Sequence, residues 1–181
     1  MSSLNDVIPV PPVTDINSKL SPCHQKTMLD IFGQPGRLTR NCSDVTSARL
    51  KPHLVTEDVG PFRVTGHRVA VASLREIFAA VRAKEPEAFD AVESDGMLCC
   101  RAVGGSTSQF SNHSWGFAID MQFSELDERG SHTCRRGLVL LYPFFHQARW
   151  YWGAGFPTKD PMHFEPCNEL VEKWHAEGKL V

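Results

Sequence analysis

Long apolar runs are missing from this chain of 181 residues. The longest, Gly137 to Phe145, contains Pro143 and falls well short of the roughly 20 apolar residues that a bilayer span needs, so membrane insertion is not expected. A basic surplus is missing as well. Nineteen lysines and arginines stand against 21 aspartates and glutamates, for a net charge of -2, which lacks the positive footprint of a nucleic-acid binder. None of the six cysteines lies in a C-x-x-C pair, which argues against a thiolate zinc site. Cys99 and Cys100 would point to opposite faces of a strand, and the six thiols are left open as buried free groups or as one or more disulfides. The N-terminus has no basic region, no sustained apolar stretch and no small-residue cleavage site, so a standard secretory signal is not expected. A target outside the cytoplasm would then require delivery or release by other means.

What is present is an ordinary globular balance, with 41% hydrophobic and 22% charged residues in a length that suits one domain. Residues 1–20, with Pro9, Pro11 and Pro12, read as an extended arm that should tolerate trimming, and 21–181 as a single domain. Ser21-Pro22 before Cys23 to Phe32 reads as a capped short helix. Leu50 to Val55 and Pro61 to Val64 read as strands. Val71, Leu74, Ile77, Phe78 and Val81 recur at helical spacing and predict a helix over 69–84, and Pro86 to Val92 adds another short helical turn. Met97 to Val103 and Phe117 to Phe123 read as strands, with Gly104 to Ser108 as a loop. A polar loop covers Ser124 to His132, its acidic residues at 125–128 forming a solvated turn. Cys134 to Trp150 reads as helix with Pro143 kinking or dividing it, Trp150 to Gly153 and Met162 to Phe164 as strands, and Asn168 to Glu177 as a last helix. No repeat and no regular β-α-β alternation occur, which favours an α+β fold with a mainly antiparallel sheet flanked by helices.

Chemistry concentrates in two segments. Ser111-Asn-His113-Ser-Trp-Gly116-Phe-Ala118-Ile-Asp120 sets a histidine and an aspartate seven positions apart. Two ligands on one zinc ion need donor atoms about 3–4 Å apart. A straight helix would separate the two backbones by about 10 Å and a straight strand by more than about 20 Å, so the chain must double back between them. Gly116 is the residue able to supply the positive φ or close approach. Asp160-Pro-Met-His163-Phe-Glu165 then brings a second histidine with acids on both sides. A catalytic zinc needs three protein ligands, an open position and a nearby carboxylate.

The pattern S-x-H-x-x-G-x-A-x-D at 111–120, followed about forty residues later by D-x-x-H-F-E at 160–165, resembles the metal motifs of the M15 peptidases over about residues 54–175. That family includes D-alanyl-D-alanine carboxypeptidases and L-alanyl-D-glutamate endopeptidases, and it shares a scaffold with the hedgehog amino-terminal domain. The resemblance implies a hedgehog/DD-peptidase-like fold, with zinc (Zn2+) held by His113, Asp120 and His163. It implies Asp160 as the general base, while strand geometry alone would put Glu165 on the face of His163. Glu165 is otherwise expected to orient a ligand. Arg101 resembles the family arginine that steadies the substrate carbonyl, although it lies closer to His113 than in the commoner pattern, and a surface ion pair is its alternative. Ser111 is expected either to bind a substrate carboxylate or to cap its loop.

Trp115, Trp150, Trp152 and Phe164 are read as core, and His53, His67, His132, His146 and His175 as solvent-facing or structural. The implied activity is hydrolysis of an amide bond in peptidoglycan stem peptides, as a D-Ala-D-Ala carboxypeptidase or an L-Ala-D-Glu endopeptidase. A zinc-stabilised binding module without hydrolysis is the alternative. The setting is open between a housekeeping enzyme, a phage lysis enzyme and a delivered toxin effector that acts in the periplasm or on the cell wall, the last with an immunity protein as partner.

Overall fold

In the computed structural model, which describes residues 3–125, 127 and 129–181, the elements follow the chain as three strand assemblies and five helices. Strand β1 (Val7–Pro9) leads to helix α1 (Gln25–Phe32), whose cap position is His24 rather than Ser21. Strands β2 (Leu54–Asp58) and β3 (Arg63–His67) form a hairpin, preceded at Lys51–His53 by a single 3-10 turn where a strand was expected. Pro52 accounts for this, because it has no N–H to give to a ladder.

Helix α2 (Arg68–Lys84) matches its periodicity, burying Ala70, Val71, Leu74, Ile77, Phe78 and Val81. Helix α3 (Pro86–Ala91) follows, then β4 (Glu93–Gly96), β5 (Ile119–Gln122) and β6 (Thr133–Arg135). Helix α4 (Arg136–Gln147) is continuous through Pro143, which lies on its exposed side, where losing one internal hydrogen bond costs least. Strand β7 (Trp150–Trp152), β8 (His163–Pro166) and helix α5 (Asn168–Ala176) complete the chain. Among the described residues, no helix is long and apolar enough to cross a membrane.

The central sheet runs β4-β5-β8-β7 and is antiparallel throughout. The fold is thus α+β with antiparallel sheets and helices packed around them. Trp115, Trp150, Trp152 and Phe164 are all fully buried, as core residues should be. Trp152 stacks on Phe164 with ring centroids 5.7 Å apart, so β7 and β8 are joined by side chains as well as by their ladder.

Further expectations are corrected. Residues 97–103 do not form a continuous strand. Cys100 bridges Ser43 and Ala102 bridges Phe110, each as an isolated contact, and Cys99 is joined to Cys42 by a disulfide. Cys23, Cys100, Cys134 and Cys167 are buried thiols.

The arm is not a loose tail. Strand β1 pairs with β6, and Ile16 is buried. Asn17, at φ 56°, donates its amide to the Trp152 carbonyl at 2.8 Å and accepts the Trp152 N–H at 2.8 Å. Prolines disfavour a long helix without excluding a short edge pairing, and the arm adopts that pairing at Val7–Pro9 followed by a single 3-10 turn at Val13–Asp15.

Of the acidic turn, Asp127 is buried and accepts the Arg135 N–H at 2.9 Å, while Glu125 pairs with the Arg135 guanidinium. Glu128 lies outside the described residues.

Candidate metal centre

Gly116 makes the turn that the first motif needs. His113 sits in a 3-10 turn over Asn112–Trp115, and Gly116 ends the turn in the left-handed region at φ 71°. A Cβ there would stand 2.6 Å from the His67 backbone nitrogen, so both the conformation and the space exclude a side chain. The chain then reverses into β5, which carries Asp120. Cross-strand pairing supplies the third group, because Asp120 and His163 are direct register partners in β5 and β8 and therefore project to one face.

The three side chains converge. His113 Nε2 lies 3.2 Å from Asp120 Oδ1, and His163 Nδ1 lies 3.3 Å from the same oxygen. One ligand atom from each residue lies within 4.8 Å of the other two. These separations match donors that share a single ion.

The state of each donor is set by its far side. His113 Nδ1 is 2.9 Å from the Met97 carbonyl and so carries the proton there, leaving Nε2 as a bare lone pair. The 3.2 Å approach to Asp120 Oδ1 is therefore two acceptors facing each other, and both atoms are buried without a hydrogen-bond partner. Two such acceptors are stable together only with a proton or a metal ion between them, so the residues fit a divalent metal. His163 gives its Nε2–H to Glu165 Oε2 at 2.9 Å, which turns Nδ1 inward.

Without an ion, protons do part of this work. Burial disfavours the charged form of His163, but the adjacent carboxylates of Asp120 and Glu165 outweigh it and raise its pKa to about 10. Burial would raise the Asp120 carboxyl, and the two imidazoles reverse that and hold it far below its ordinary range.

Asp160 reaches the site through the turn at Pro161. Its N–H donates to the Gly153 carbonyl at 2.9 Å, the His163 N–H donates to the Asp160 carbonyl at 3.1 Å, and Trp152 Nε1 donates to the Pro161 carbonyl at 2.6 Å. Asp160 Oδ1 is buried with no partner, and burial raises its pKa, with the charge of Asp120 adding to the rise. Glu165 is differently placed, because its carboxylate accepts the Cys23 N–H at 2.8 Å, the Asn112 amide at 2.8 Å and the His163 ring. Both oxygens of Glu165 are thus engaged in hydrogen bonds, whereas Asp160 Oδ1, in the cleft lining, has no partner.

A cleft of about 480 Å³ holds His113, Asp120, His163, Asp160, Arg101 and Ser111 together. Among the described residues no carboxylate pairs with Arg101, so the ion pair considered from sequence is not formed. Its backbone N–H and carbonyl are instead held by the Ser114 hydroxyl at 3.1 and 3.0 Å. Ser111 occupies the cap position of its turn but makes no side-chain cap hydrogen bond.

Sequence reasoning missed Asn112 and Arg129. Asn112 lies inside the first motif, next to His113, and an amide between two motif residues was a usable signal. Arg129, in a polar loop, gave none.

Two imidazoles and a carboxylate converging in a cleft, beside a further carboxylate with one unpartnered oxygen, form a group able to hold a metal ion, an arrangement of the kind found in metal-dependent hydrolases. Over residues 104–166 the chain matches the family model described as D-alanyl-D-alanine carboxypeptidase, which supports an M15 family peptidase acting on a peptide. The matched stretch is narrower than the 54–175 expected from the motifs, and it contains every candidate site residue except Arg101. No curated protein matches the chain.

Proposed function

We propose that the protein is a zinc-dependent peptidase that hydrolyses an amide bond in peptidoglycan stem peptides. The observation that carries this reading is the convergence of His113, Asp120 and His163 with two buried acceptors left unpaired between them. Zinc suits two neutral imidazole nitrogens and one carboxylate, and when bound it supplies the Lewis acidity that polarises a carbonyl and acidifies water.

The chain's own groups take the remaining roles. Asp160 Oδ1, unpartnered and with a raised pKa, takes the proton of the attacking water and returns it to the leaving amine. Arg101 faces the cleft as the cation for charge that develops on the scissile carbonyl, and Ser111 is placed to donate to a substrate carboxylate. Glu165 holds His163 in orientation rather than exchanging protons, since its oxygens are already committed. Action in an oxidising compartment, after delivery or release, is supported by the Cys42–Cys99 disulfide.

The test is mass spectrometry of defined muropeptides incubated with the wild type and with Asp160→Ala. Loss of a terminal D-alanine identifies a carboxypeptidase, and a cut between L-alanine and D-glutamate identifies an endopeptidase. Release by the wild type and its near-total loss in Asp160→Ala are expected. Equal, negligible release from both would favour the non-hydrolytic binding module.

A further inference from the structure

Asp160 does not stand alone at the cleft. Its two oxygens have different surroundings, with Oδ1 buried and unpartnered and Oδ2 lying 3.9 Å from Arg129 Nε. Arg129 in turn donates from Nη1 to the Gly104 carbonyl at 3.0 Å. The next residue, Gly130, donates its N–H to the Lys159 carbonyl at 2.6 Å, so the loop that carries Arg129 is tied by backbone to the residue just before Asp160. Arg129 and Gly104 both line the cleft that contains the three metal-binding side chains. One guanidinium therefore links three segments, of which only the last two are also tied by backbone: the loop after Arg101, the loop at 129–130 and the turn that presents Asp160.

The energetics say what this contact is for. At 3.9 Å, with the arginine side chain more than a third exposed, the ion pair is too long and too wet to add appreciable stability. Its effect is directional. A carboxylate plane turns freely about its last torsion, and a positive charge beside one of its two equivalent oxygens restricts that plane, keeping the other oxygen on the side away from the arginine.

We infer that Arg129 is a positioning residue for the reaction, fixing the Asp160 carboxylate so that Oδ1 faces the attacking water, while its Gly104 contact holds the adjacent loop in place. This rests on the reading of Asp160 as the general base.

Gly104 offers a second way to perturb the arrangement. A Cβ at that position would collide with Arg129 Nη1, the movable end of a long side chain, so Gly104→Ala should displace the guanidinium without removing it.

The experiment measures kcat and KM on the muropeptide that the wild type cleaves, together with bound zinc and thermal midpoint, for Arg129→Ala, Arg129→Lys and Gly104→Ala. Arg129→Ala is expected to lower kcat about 10–100-fold, the range for losing a group that orients a catalytic one, with KM changed less than about threefold and zinc retained. Arg129→Lys should recover a substantial part of the loss, and Gly104→Ala should show a smaller fall in kcat of the same kind. Unchanged kcat in Arg129→Ala, or a rise in KM alone, would overturn the inference, the latter assigning Arg129 to substrate binding. Loss of zinc or of the folded state in Arg129→Ala, with no rescue by lysine, would also overturn it by making the role structural. Absence of turnover in the wild type is a separate outcome, which defeats the peptidase reading itself.

Discussion

His163 and Glu165 are joined by a 2.9 Å hydrogen bond from Nε2–H to Oε2, and that bond decides which imidazole nitrogen faces the other ligands. Glu165 is itself fixed by the Cys23 N–H and the Asn112 amide, so the orientation of one ligand is inherited from helix α1 and from the turn that carries another. Glu165→Gln should therefore keep the fold yet weaken zinc binding about 10–100-fold, the usual effect of losing a ligand's hydrogen-bond partner. Competition against a chromogenic chelator measures this, and unchanged affinity would contradict it.

Asn17 is expected to matter more than its place in a proline-rich arm suggests. It makes reciprocal hydrogen bonds with the backbone of Trp152 and adopts a left-handed conformation that asparagine tolerates better than alanine. Asn17→Ala should lower stability by about 2–3 kcal/mol, from about 1 kcal/mol for each lost bond plus the conformational term. Urea denaturation of the two proteins checks this, and an unchanged midpoint would restore the picture of a dispensable tail.

The Cys42–Cys99 bridge closes a loop with a sequence separation of 57, which in the chain-entropy account stabilises the fold by about 4 kcal/mol. Cys99 also donates its N–H to the His113 carbonyl at 3.1 Å, so the bridge braces the turn that carries a metal ligand. The Cys42→Ser, Cys99→Ser double variant should unfold at markedly lower denaturant than the oxidised wild type. Reductant should bring the wild type to the same midpoint and leave the variant unmoved.

Stability should fall in acid through His67. This residue is fully buried at the start of α2, where its Nδ1 accepts the Val69 N–H and its Nε2 donates to the Leu180 carbonyl. Burial lowers its pKa from 6.5 to about 4; the Leu180 bond opposes the fall, and His53 and Arg68 add to it. Between those values the unfolded chain binds the proton and the folded chain does not, so stability is full above about pH 6.5 and declines as pH falls toward 4. A shift of this size corresponds to about 3 kcal/mol. His67→Asn keeps a capping acceptor while removing the titration, so its unfolding free energy should be flatter than that of the wild type across this window.

How much of this was legible in the sequence depended on the range of the interaction. Helix α2 was readable from the spacing of Val71 to Val81, since one face of a helix is a local property. The doubling back between His113 and Asp120 was readable too, because ligand distances and chain geometry force it and Gly116 is the residue that allows it. The segment 97–103 was misread because its alternation survives although its partners, Ser43, Cys42 and Phe110, each touch it at a single point. Asp127 looked like a solvated acid and is buried, since the backbone N–H it accepts comes from β6. Arg129 was invisible for the same reason, as its meaning lies in its proximity to Asp160 and Gly104.

Elemental analysis of the purified protein decides whether His113, Asp120 and His163 hold one divalent ion, as we propose. One zinc per chain in the wild type, and none in a His113→Ala variant that keeps its secondary structure by circular dichroism, is the expected result. A wild type that binds no ion when zinc is supplied, or a His113→Ala variant that keeps its full complement, would mean that these three residues do not share an ion.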